Sequence, residues 1–393
     1  MNVTRSSKYG IKIDYDKSHD SYLYDKNSKR FILDFLSMYS SLPLGYNHPG
    51  LGEEFKEEIL RTCHTKVTNC SVASDESIEF DKTFTEFAPN SFSNFYYCCT
   101  GSLAVEAALK TAIETFRWKK GRSITPKIIT FKDSFHGING WGSFATSRDG
   151  AVGERLRGWP SPYVWEADGL GEGCFHKEVE WMVERGDVAA VLVEPIRSTY
   201  GDKAFYKEFF SEVRETCTKG GVPLIFDEVQ TGMGTTGTNW YYEQLGVKPD
   251  ILIFGKKTQI SGIMANNKFS HIFNQPYKKL EATWDATVVD MIRCKYIIRA
   301  YEEYKILENV REVGAYLKEE LQSLATIRDV RGEGFMLAFD LPTEDDRDKF
   351  SQDAYNNGLL VNTAGKTTIR LRPNLNLSYN EADDALRIMK ECL

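Results

Sequence analysis

The chain has 393 residues, of which 41% are hydrophobic and 27% charged, and it carries a net charge of −7. That length exceeds one simple core and predicts two domains of ordinary globular composition. The acidic balance argues against nucleic acid as a partner, and no apolar run reaches the length of a membrane span.

In chain order, Asn94–Cys99 predicts a strand and Leu103–Lys120 the helix after it, with Val105, Ala108, Leu109, Ala112 and Phe116 at helical spacing. Arg117, Lys119, Lys120 and Arg122 read as the solvated end of that helix. Lys127–Phe131, Ala189–Glu194, Val222–Phe226 and Ile251–Phe254 are strand-like, and Phe205–Lys219 is helical. This alternation is the pattern of parallel βαβ units. Further on, Asp290–Leu324 predicts one or two long helices, Phe335–Phe339, Leu359–Val361 and Thr368–Leu371 short strands, and Glu381–Cys392 a last helix. The expected division is an N-terminal segment, 1–48, joining a small α/β domain, 289–393, with a larger domain, 49–288, between them.

Met1–Ile13 lacks the charged-then-apolar pattern of a signal peptide. The eight cysteines form no CxxC pair and no zinc-like spacing, so no metal site is expected. Cys98 and Cys99 read as buried strand thiols. A cytoplasmic location is expected by elimination.

Four polar groups fall just after strands, where open α/β sheets bind ligands. Gly101-Ser102 opens a helix, and free N–H groups there suit an anion, although a plain N-cap fits as well. In Phe135-His136-Gly137 the aromatic could stack on a flat ligand or simply fill core. Asp227 ends a buried strand and needs a cation, which a protonated pyridine nitrogen or an ordinary ion pair would supply. If the chain stays extended, Val229 shares its face. Lys256, in an apolar setting, suits carbonyl chemistry, with the adjacent Lys257 as its competitor. Singly these are weak signals; their order and spacing are specific.

With those residues in view, the chain resembles the class III aminotransferases of fold type I, over nearly its whole length. The resemblance rests on Tyr22-Leu23-Tyr24-Asp25, Leu33-Asp34-Phe35-Leu36-Ser37, Gly45-Tyr46-Asn47-His48-Pro49, Thr100–Ala108, Glu194-Pro195-Ile196, Asp227–Gly232 and Pro249-Asp250-Ile251 leading to Gly255-Lys256. Phe254–Gln259, Leu103 and Thr283-Trp284 followed by Asp290–Arg293 look most like its lysine 6-aminotransferase branch. The resemblance implies an α/β fold with a mainly parallel central sheet and a smaller α/β domain, and pyridoxal 5'-phosphate as cofactor. It also implies that Lys256, rather than Lys257, forms the Schiff base with the cofactor and later moves the proton.

By the same resemblance, Asp227 holds the pyridine nitrogen, Phe135 and Val229 pack on opposite faces of the ring, and Gln230 lies near the ring oxygen. Gly101 and Ser102 hold the phosphate, and Glu194 braces the network. Thr283 reaches the phosphate of a neighbouring subunit, implying a homodimer. Arg370, with Arg372 as the alternative, resembles a carboxylate clamp for an oxo acid such as 2-oxoglutarate; a surface ion pair is the other reading for both.

The pattern breaks at substrate positions. Ile138 stands where the lysine branch has arginine, Thr199 where it has glutamate, and Asp285-Ala286-Thr287 where it has Gly-Gly-Asn. The amine donor is therefore expected to differ from plain lysine and to lack a carboxylate at the usual end. The rival readings are an aminomutase, epimerase or decarboxylase on the same cofactor, and a non-catalytic sensor.

Overall fold

The computed structural model describes residues 9–67, 72–148, 150–158, 164–167, 175–275 and 278–393. Near the N-terminus lie β1 (Ile13–His19), β2 (Tyr22–Asp25) and β3 (Arg30–Asp34). The middle of the chain gives β4 (Asn94–Cys98), β5 (Lys127–Phe131), β6 (Val164–Ala167), β7 (Val188–Val193), β8 (Leu224–Asp227), β9 (Ile251–Phe254) and β10 (Ser261–Ala265). The last part gives β11 (Arg328–Glu333), β12 (Met336–Asp340), β13 (Leu359–Leu360), β14 (Asn362–Ala364) and β15 (Thr368–Leu371).

The central sheet has seven strands in the order β4-β10-β9-β8-β7-β5-β6. Its middle strands are buried on both faces because their residues alternate between two apolar layers. Leu224, Phe226, Leu252 and Phe254 enter one layer, and Ile225, Ile251 and Ile253 enter the other. Each such side chain contributes about 1.5–3 kcal/mol when fully buried. The Gly101–Lys120 helix lays Ala104, Val105, Ala108 and Ala112 on the second layer. Only β10 opposes the direction of the others, pairing antiparallel with both β4 and β9. The carboxyl ends of β4, β5, β7, β8 and β9 therefore share one edge, and every strand-end motif emerges there.

Neither β6 nor β10 was expected from the sequence. The predicted Phe205–Lys219 helix begins later, at Phe209, after the Phe205 ring has stacked on that of Phe209. The Asp290–Leu324 stretch is two helices, Val288–Glu303 and Ile306–Gln322, broken where Lys305 turns left-handed. Cys98 is buried in β4 as expected, whereas Cys99 lies just past the strand, half-buried, with its thiol on the Trp284 carbonyl. Cys70 and Cys174 lie outside the described residues.

Two four-stranded sheets flank the central one, β1-β2-β3-β13 and β11-β12-β15-β14. The expected strand Leu359–Val361 is shorter, ending at Leu360, and a separate strand begins at Asn362. Leu359 and Leu360 pair parallel with β3, and Asn362–Ala364 pair with β15. On this pairing we propose that 1–48 and 289–393 form one unit beside a larger one at 49–288.

Candidate active site

The edge of the central sheet encloses a cavity of about 220 Å³, lined by Gly101, Ser102, Phe135, Glu194, Asp227, Val229, Gln230 and Lys256, together with Thr100, Val105, His136 and Gly137. All the cofactor residues expected from the sequence therefore meet except Thr283, which is exposed elsewhere on the chain.

At one end is the start of the Gly101–Lys120 helix. The Thr100 hydroxyl caps it by accepting from Leu103 N, leaving a glycine at the first turn. A Cβ on Gly101 would stand 3.4 Å from Val229 Cγ1, so the glycine keeps the backbone open there. Gly137 has φ +106°, and a Cβ on it would sit 2.8 Å from the Ser102 hydroxyl. Free helix N–H groups, a hydroxyl and bare backbone suit a phosphate.

Asp227 ends β8. Its Oδ2 lies 2.8 Å from His136 Nδ1, and its Oδ1 accepts from Val229 N at 3.2 Å. The strand stops at Asp227, so this short turn, and not an extended chain, brings Val229 to the cavity. His136, buried in the Phe135-His136-Gly137 loop, was not expected as a site residue from the sequence. Its position between two expected ones was the available signal. His136 Nε2 and Gln230 Oε1 are buried without a hydrogen-bond partner, as unfilled contacts to a ligand would be. Glu194 accepts from Phe135 N at 2.6 Å and from the Ser198 hydroxyl at 3.2 Å. Burial pushes its pKa up to about 7, with nearby Asp227 adding to the rise and His136 opposing it. Glu228 turns away and binds Tyr241 N and Tyr242 N instead.

Lys256 follows β9 in a single 3-10 turn, Lys256–Thr258. The extended chain assumed from the sequence is absent, yet the two lysines still part company. Lys256 faces the cavity and donates to the Tyr39 carbonyl at 3.0 Å. Burial, then the charges of Arg370 and Arg372, bring its pKa down to about 8. Lys257 is buried, donating to the Ser40 carbonyl at 2.9 Å and to the Ser40 hydroxyl.

Their acceptors lie on an unusual turn. Ser37, Met38, Tyr39 and Ser40 all have φ between 45° and 69°. A left-handed run of four non-glycine residues costs about 1–2 kcal/mol for each. No sequence signal predicts it, since glycine normally marks such backbone. Asp34 holds its entrance, Oδ1 accepting from Leu36 N and Ser37 N, while Oδ2 accepts from the Tyr46 hydroxyl.

The two arginines differ. Arg372 pairs with buried Asp202 and donates to the carbonyls of Leu337 and Leu371. Arg370 is buried without a carboxylate, donating through Nη1 to the Ser198 carbonyl at 2.8 Å and leaving Nε unpartnered. It lies outside the cavity lining but close enough for its charge to act on Lys256. Neither arginine makes the surface ion pair considered from the sequence.

The sequence model of the family described as Aminotransferase class-III matches residues 4–393. The chain belongs to the class-III aminotransferases. Similar members include the L-lysine-epsilon aminotransferase of Mycobacterium tuberculosis, 33% identical over 98% of this chain and 92% of that one. The 4-aminobutyrate aminotransferase of Dictyostelium discoideum is 29% identical over 92% and 81%. The solved lysine aminotransferase from M. tuberculosis, in its internal aldimine form, superposes with a TM-score of 0.93 at 31% identity, covering 99% of this chain and 96% of that one. This aminotransferase is a pyridoxal-phosphate enzyme that moves an amino group from a primary amine to an oxo acid. Its phosphate-ready helix start, unfilled polar atoms, strand-end carboxylate and cavity-facing lysine all fit that cofactor. Among the described residues no helix is long and apolar enough to cross a membrane.

Proposed function

We propose that this aminotransferase takes its amino group from an ω-amine or lysine-like donor and passes it to an oxo acid such as 2-oxoglutarate. The observation that carries this reading is the contrast between the two arginines: Arg372 already has Asp202, while buried Arg370 lacks an anion and sits near Lys256. Ile138 and Thr199 support a donor other than plain lysine, because neither side chain offers a charge to a second carboxylate or amine.

When bound, pyridoxal phosphate supplies an aldehyde and an electron-withdrawing ring. Gly101 and Ser102 take the phosphate, with Thr283 of a second copy closing it in a homodimer. Phe135 and Val229 cover the ring faces, and Gln230 offers its free Oε1. Asp227, fixed by His136, keeps a proton on the ring nitrogen, and Glu194 holds the Phe135 loop in place. Lys256 Nζ would hold the aldehyde covalently and, when free, would carry a proton from the donor's amine-bearing carbon. Arg370 binds the acceptor carboxylate. Six free cysteines among the described residues support a cytoplasmic location.

The test is spectral. Lysine, diamines and ω-amino acids are added singly to the holoenzyme, and loss of the yellow band is followed in each case. Fast bleaching by an ω-amine, reversed by 2-oxoglutarate, is the expected result. A strong preference for lysine, or turnover without any oxo acid, overturns the proposal. Lys256→Ala should abolish turnover while cofactor still binds; full activity would transfer the role to Lys257.

A further inference from the structure

Three successive carbonyls of one turn receive three side chains from one strand-end loop. Tyr39 O accepts from Lys256 Nζ, Ser40 O from Lys257 Nζ, and Ser41 O from Gln259 Nε2. The turn that offers them is the left-handed run at Ser37–Ser40, which does not hold its shape through local preference. Lys257 and Gln259 bond it from the lysine loop, and Asp34 bonds it from β3. Lys257 makes both its hydrogen bonds to Ser40 and lines no part of the cavity.

We infer that Lys257 is a positioning residue: with Gln259 it clamps the left-handed turn so that the Tyr39 carbonyl forms a dock for the Lys256 amine whenever that amine is free. This rests on the proposal that Lys256 is the attachment point. A lysine that leaves and rejoins its partner in each cycle must be kept near the reacting carbon between the two events. A flexible four-carbon stem does not do that alone. The dock supplies one fixed acceptor 3.0 Å from Nζ. It works only if the turn stays where the clamp puts it.

Lys257→Met removes the clamp's amine and keeps most of the buried volume. Losing that bond should slow the single-turnover reaction of the holoenzyme with its amine about tenfold, leaving amine affinity within about twofold. In cofactor-free protein the same variant should speed hydrogen exchange at Ser40, Ser41 and Leu42 about tenfold. Those amides now bond to the Leu36 and Ser37 carbonyls. Gln259→Asn, too short to reach Ser41, should reproduce the exchange effect and serves if Lys257→Met fails to fold. The deciding variant adds Met38→Gly to Lys257→Met. Glycine accepts φ near 51° without strain, so rate and exchange should both return to within about twofold of wild type. A packing defect at Lys257 would not be repaired by relieving backbone strain at Met38, whose side chain is exposed. Unchanged exchange in both clamp variants overturns the inference, and so does failure of Met38→Gly to restore them. A wild-type protein that refuses pyridoxal phosphate would instead sink the functional proposal, and the exchange data would still judge the clamp.

Discussion

Arg370 should make the protein less stable while it makes the enzyme work. Burial and the neighbouring Arg372 bring its pKa from 12.5 down to about 10. At about 1.4 kcal/mol per tenfold, holding that charge in the folded protein costs about 3 kcal/mol. Its one hydrogen bond, to the Ser198 carbonyl, returns about 1 kcal/mol. Arg370→Met fills much the same space with an apolar chain and should therefore stabilise the cofactor-free protein by about 2 kcal/mol. The sign follows from the lowered pKa: below about pH 10 the folded protein holds a charge it disfavours, and the cost fades only as pH rises from there toward 12.5. The assay is urea unfolding of both proteins at pH 7.5, with and without glutarate as a mimic of the acceptor's carboxylates. Wild type should gain stability on adding the dicarboxylate, and Arg370→Met should not. The variant should also lose about 10²-fold or more in kcat/KM for the oxo acid. A destabilised variant, or one with an unaltered oxo-acid KM, refutes the assignment of an unpaired charge awaiting its anion.

Glu194, raised by burial to about 7, binds a proton more tightly folded than unfolded. Its contribution is thus fully present below about pH 4.5 and lost as pH rises through 7. Relative to Glu194→Gln, wild type should lose about 3 kcal/mol of stability across that window, as measured by unfolding midpoints at successive pH values; parallel curves would contradict this. With a Lys256 pKa of about 8, carbonyl capture by cofactor-free protein should rise tenfold per pH unit and then level off near pH 8, whereas a steady climb to pH 10 would mean an ordinary lysine. Because Arg370 is the largest charge effect on Lys256, Arg370→Met should move that break upward. Asp227→Asn should lower kcat by about 10² or more, with cofactor still bound through Lys256; near-normal kcat would remove the carboxylate from the chemistry.

Most of the cavity was legible in the sequence because most of its residues lie soon after a strand of the central sheet. Val222–Phe226 before Asp227 and Ile251–Phe254 before Lys256 are apolar enough to announce a parallel sheet, and strand ends in such sheets converge. What escaped notice depends on contacts far apart in the chain. β10 is Ser-Gly-Ile-Met-Ala, too poor in branched and aromatic residues to announce a strand, yet it separates β4 from β9. The choice between Arg370 and Arg372 needed Asp202, which reaches Arg372 alone through a loop from another sheet. The left-handed turn has no glycine to betray it; Asp34, Lys257 and Gln259 hold it from outside, in addition to the turn's own hydrogen bonds. Similarly, His136 looked like a loop residue until Asp227 was placed beside it.

The pairing of β3 with β13 also sets a schedule for the making of this protein. Leu33 and Asp34 must wait for Leu359 and Leu360 to emerge before that sheet can close. Translation at about 5–20 residues per second makes that wait tens of seconds. Throughout it, Ile32, Leu33 and Phe35, all buried in the finished fold, remain without their final cover. These three side chains are thus a lasting apolar target for a chaperone during synthesis, and moving β1–β3 to follow β13 in a circular permutant should shorten that exposure.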